Sequence, residues 1–130
     1  MPQSSLEAFH TLWRAYGEGR LERSFDLVAD DCEVTFADGS TPLRGHAGIR
    51  DWLAAERRDW KTVSITYDEV TEERPGCVLG VGTLVAASAD GSTNIDCGIA
   101  FVAEFAGGRL VRGRMFRDRD AAARYLNELY

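Results

Sequence analysis

Lysine and histidine are scarce in this chain: Lys61 is the only lysine, and His10 and His46 are the only histidines. The formal charge is 15 − 21 = −6, and such a surface repels phosphate backbones. The one arginine-rich stretch, Arg109 to Arg119, is interleaved with apolar residues and reads as one face of a strand. A nucleic-acid partner is therefore not expected. The three cysteines, Cys32, Cys77 and Cys97, stand far apart with no CxxC and no nearby histidine, so neither a disulfide framework nor a metal centre is expected. No apolar run approaches the roughly 18 residues of a membrane span. Met1-Pro2-Gln3-Ser4 lacks a basic segment leading into an apolar one, so a cytoplasmic protein is expected. Nothing in the composition calls for a cofactor.

What is present is an ordinary globular balance, 45% hydrophobic and 28% charged over 130 residues. That length is one domain, expected over 1–130, and it buries enough surface for one core. Ser4 with Glu7 fits a capping box. Leu6, Phe9, Trp13 and Tyr16 then recur at helical spacing until Gly17-Glu18-Gly19. A second helix is expected from Arg20, with Leu21, Phe25 and Val28 inward. From Cys32 the period becomes two, and Ala37-Asp38-Gly39-Ser40 reads as a turn. A third helix follows Gly48, with Ile49, Trp52 and Leu53 apolar and Glu56 among its solvated residues. After Trp60 come four strands, joined at Arg74-Pro75-Gly76, Asp90-Gly91 and Gly107-Gly108. A short helix closes the pattern, with Asp118 before it. Segregated helices and strands predict an α+β fold with about three N-terminal helices, four to five strands and a C-terminal helix.

Three segments carry a family resemblance. Gly19-Arg20-Leu21 through Ala29-Asp30-Asp31-Cys32-Glu33-Val34 is similar to a "G-D-L-x … A-D-D-x-x-V" pattern, with Arg20 where Asp is usual. Gly45 followed by Gly48-Ile49-Arg50 is similar to a "G-x-x-x-I-R" helix start. Phe105-Ala106-Gly107-Gly108-Arg109-Leu110 is similar to "F-x-D-G-K-I". In this order they resemble the nuclear transport factor two-like superfamily, with its SnoaL-like and ketosteroid-isomerase-like members. The resemblance implies a cone-shaped α+β domain, in which a curved mixed sheet wraps an N-terminal helix around a pocket. It also implies where catalytic groups would stand. The tyrosine, the base and the protonated acid of ketosteroid isomerase fall at Leu12, Phe36 and Phe101. None of these can move a proton or donate to an enolate. The Arg and Asp of limonene epoxide hydrolase have no counterpart in Val81 to Val85 or near Met115.

The expected function is a domain that binds a small apolar ligand without either set of catalytic residues. The alternative is a SnoaL-like enzyme of the polyketide cyclase, isomerase or dehydratase type, with Tyr67, Asp38 or Asp118 transferring a proton. The pocket wall is expected from Phe9, Leu12, Tyr16, Val34, Phe36, Ile65, Tyr67, Thr83, Val85, Cys97, Ile99, Phe101 and Met115. Plainer roles exist for all of these. The apolar residues can simply fill a core, Asp38 before Gly39 suits a turn, and Asp118 suits a helix N-cap. A homodimer through the outer sheet face is expected from the small and apolar residues Gly98, Ala100 and Val102.

Overall fold

The computed structural model describes residues 4–129. Helix α1 spans Ser5–Gly17, and the Ser4 side chain accepts from the Glu7 backbone N–H as its N-cap. Its Ala8, Phe9 and Leu12 are buried. The expected second helix is instead a 3₁₀ segment, Leu21–Leu27, with a non-helical Ser24 inside it. Eight residues between Gly19 and the next strand leave little room for an α-helix, and Ser24 breaks the turn.

Strand β1, Val28–Thr35, therefore starts four residues earlier than the alternation from Cys32 implied. Leu43–Arg44 forms a two-residue strand, β2, paired antiparallel with Glu33 and Val34 of β1. Helix α2, Gly45–Asp59, buries Ile49 and Leu53. The four remaining strands are β3 (Trp60–Arg74), β4 (Cys77–Ser88), β5 (Asn94–Ala106) and β6 (Arg109–Phe116). Helix α3 covers Arg119–Leu129. The sheet order is β2-β1-β6-β5-β4-β3. All neighbours are antiparallel except β1 and β6, which run parallel. The result is a mixed, curved, unclosed six-stranded sheet, one strand more than expected.

Register settles which side chains share a face. Tyr67 pairs with Gly82, Gly82 with Ile99, and Phe101 with both Gly80 and Met115. These positions form the inner face, against which α1 packs. Alternation puts Thr83 and Val85 on the opposite face, where Val85 is 46% exposed. Their inward parity was expected because β4 is apolar on both sides, which gives alternation no phase. The outer face has a second core, with Leu79, Ala100 and Val102 packed against Ala122 and Leu126 of α3. Ala100 and Val102 are thus covered by the chain's own helix. No helix among the described residues is long and apolar enough to cross a membrane.

Candidate functional site

One cavity lies between α1, α2 and the inner face of the sheet. Phe9, Leu12, Trp13 and Tyr16 supply one wall from α1. Ile49 and Trp52 of α2 and Leu43 of β2 form a second. Val28 and Val34 of β1, with Phe101, Ala103, Phe105 and Leu110 of β5 and β6, form the floor. Leu21 and Phe36 complete it. The cavity volume is about 80 Å³, and it is open to solvent at its mouth. A cavity of roughly 150 Å³ can take a benzene ring, so a ring-sized guest must occupy part of the mouth. The rings there are half-buried and stacked: Trp52 lies 5.8 Å from Tyr16 and 5.6 Å from Phe36, both nearly parallel.

The expected wall divides in two. Phe9, Leu12, Tyr16, Val34, Phe36 and Phe101 border the cavity. Tyr67 and Met115 pack beside it without reaching the wall. Ile65 and Ile99 share the inner face further along the sheet. Cys97 is exposed near the β4–β5 turn. Trp13, Leu43, Ile49 and Trp52 were not anticipated in the wall. Trp13 and Ile49 each stood on an apolar helix stripe, which signals burial but does not distinguish a cavity wall from solid core.

The polar chemistry at the site is a pair joined across 40 positions. The Tyr16 hydroxyl donates to Glu56, at 2.8 Å to Oε1 and 2.9 Å to Oε2. Burial holds both groups above their ordinary values, and for Tyr16 the Glu56 charge adds to the rise. Glu56 was read as solvated, yet it is half-buried because it sits on the side of α2 that faces α1. Its other side borders a shallow groove with Arg57, Trp60, Lys61 and Val63.

The residues considered for proton transfer lie in other settings. Asp38 is exposed and accepts from the Ser40 backbone N–H at 2.9 Å, a contact that lowers its carboxyl. Asp118 caps α3 by accepting from the Ala121 N–H at 2.9 Å. The Tyr67 hydroxyl is buried without a hydrogen-bond partner among the described residues, and burial pushes its pKa well up. Its ring packs on Phe9 at 5.2 Å and Trp13 at 5.1 Å. Cys32 is buried, and its thiol is pushed up to about 12, chiefly by burial. His46 pairs its Nε2 with the Val28 carbonyl at 2.8 Å and stacks on Phe25, a packing role at the start of α2. Among the described residues no group of three or more His, Cys, Asp or Glu is placed to hold a metal ion.

A curved mixed sheet closed by α1 over an apolar cavity defines the cone-shaped α+β class. The family model for the SnoaL-like domain matches residues 6–113, and the chain belongs to that family. Solved structures agree in fold. An NTF2-like protein of unknown function from Burkholderia pseudomallei superposes with a TM-score of 0.79 at 17% identity, over 94% of this chain and 96% of that one. A Jannaschia protein described as a SnoaL-like polyketide cyclase gives 0.71 at 15%, over 95% and 92%. A ketosteroid isomerase-like protein from Catenulispora acidiphila, solved with trimethylamine, gives 0.71 at 14%, over 91% and 88%. No curated protein matches significantly.

Proposed function

We propose that this domain binds a small, flat, apolar molecule in the cavity between α1, α2 and the sheet, without the proton-transfer groups of ketosteroid isomerase. One observation carries the reading. Leu12, Phe36 and Phe101, the positions matched to that enzyme's catalytic groups, all stand in the cavity wall, and all are hydrocarbon. A wall of this kind gives area and shape, and aromatic rings prefer flat partners. The complex of the Catenulispora relative with trimethylamine supports a small guest in this fold. The alternative of proton transfer by Tyr67, Asp38 or Asp118 has less support, since none of the three borders the cavity.

Titration with a neutral fluorescent dye such as N-phenyl-1-naphthylamine tests the reading. Wild type should bind it. Phe36→Asp should abolish binding, because an unpaired carboxylate in an apolar wall is costly to bury. Phe36 is only half-buried, so the variant is expected to fold, and its thermal melt checks that. Equal binding by both proteins would place the dye elsewhere and sink the proposal.

A further inference from the structure

The cavity wall changes character with depth. The stacked rings of Tyr16, Phe36 and Trp52 are half-buried and stand at the mouth. The fully buried end, which includes Val28, Ile49, Phe101, Ala103 and Leu110, has only hydrocarbon side chains. Ala103 is what leaves space there. It is the one wall side chain smaller than valine, and it is 1% exposed. Its partners on the neighbouring strands are Val78 and Gly113. The glycine opens no space, because the Phe101 ring lies over it, where a Cβ would meet Cζ. A hydrocarbon end of this kind gives water no side chain to bond, and the fold gains when it is filled.

We propose that the cavity takes an aromatic molecule tail first, with a short alkyl chain over Ala103 and the ring that carries it at the mouth. The inference rests on the cavity being the binding site for a flat apolar molecule. It names the class of that molecule: a ring with an unbranched alkyl chain at one end and its polar group at the other. Volume sets the chain length. Roughly 150 Å³ takes the six carbons of benzene, so 80 Å³ takes about three. Size also sets the order of entry. A ring does not fit within 80 Å³, whereas the rings at the mouth offer it aromatic partners. The polar group stays outermost, in water, because no side chain at the buried end would bond it. Ala103 is then the residue that sets the permitted tail length.

The test is calorimetric titration of the full chain with benzamides that carry a methyl, ethyl, propyl, butyl or hexyl chain at the 4-position. Wild-type affinity should rise about fourfold with each carbon up to propyl, the worth of a buried methylene. It should then level off and fall for hexyl. Ala103→Leu puts three more carbons of its own into the buried end. It should bring the propyl compound down to the affinity of the methyl compound, which itself stays near its wild-type value. Ala103→Val, a smaller change, should move the optimum to a shorter chain. Equal wild-type affinity across the series, or a rise that continues through hexyl, would overturn the tail-first rule and leave the apolar cavity standing. An unchanged chain-length profile in a folded Ala103→Leu protein would overturn the role of Ala103. Absence of binding by every member would overturn both readings. The wild-type series needs no variant, so a folding defect in either substitution cannot mask the result.

Discussion

Glu56 is the side chain whose environment departs furthest from its sequence context. It lies in the run Glu56-Arg57-Arg58-Asp59, yet burial holds its carboxyl above the ordinary glutamate range. The folded chain therefore keeps a proton at pH values where the unfolded chain has lost it. Stability must fall as pH rises from the unfolded to the folded pKa, the reverse of a salt-bridged carboxylate. Glu56→Gln lacks this titration. Its stability relative to wild type should improve between pH 4 and pH 8 in urea denaturation, and a gap independent of pH would refute the argument. Tyr67 gives a second expectation. Its buried hydroxyl has no partner among the described residues, and an unmet buried polar atom costs about 1–3 kcal/mol. Tyr67→Phe keeps the ring contacts with Phe9 and Trp13, and should stabilise the protein by about 1 kcal/mol in the same measurement.

At the scale of elements, β3 and β4 are shaped by a bulge. Tyr67 pairs with Gly82, but the next pair is Glu69 with Val81, so Asp68 is extra. The bulge drives the Thr66 carbonyl against β4, where a Cβ at Gly82 would overlap it. Backbone cannot rotate away as a side chain can. Gly82→Ala should cost about 3 kcal/mol or more. Gly98→Ala, whose Cβ would have no neighbour nearer than 3.8 Å, should cost far less. Comparable losses at the two sites would contradict this account. The same strands show what was legible in the sequence. Asp90-Gly91 and Gly107-Gly108 announced their turns through glycine, and the α1 stripe announced its helix through spacing. The inward or outward phase of Thr83 and Val85 was not legible, since an apolar run on both faces has no contrast to read. Nor was β2, whose Leu43–Arg44 is too short for a period and exists only by pairing with β1.

For the whole molecule, the resemblance supplied the architecture, while the cavity wall depended on residues far apart in sequence. Tyr16 and Glu56 meet only because α1 and α2 cross the same side of the sheet, and no local pattern encodes that crossing. The outer face shows a similar dependence. Of the outer-face residues expected to form a homodimer, α3 covers Ala100 and Val102 and leaves Gly98 exposed. The uncovered outer part of β4 and β5, with Thr83, Val85 and Gly98, is the remaining candidate. Light scattering at micromolar concentration should then report twice the chain mass for wild type. Val85→Glu should shift it to the single-chain mass. A monomeric wild type would end the dimer proposal.

The parallel pairing of β1 with β6 has a consequence for how the chain is made on a ribosome. Strands β3 to β6 can zip together as consecutive hairpins, each from neighbouring sequence. By contrast, β1 leaves the exit tunnel early and has no sheet partner but the two-residue β2 until residues 109–116 emerge. Until then, α1 has no complete floor on which to lay Phe9 and Leu12. Apolar surface from the first third of the chain must wait, unsatisfied, for most of translation. Such waiting surface attracts holding chaperones and premature aggregation alike.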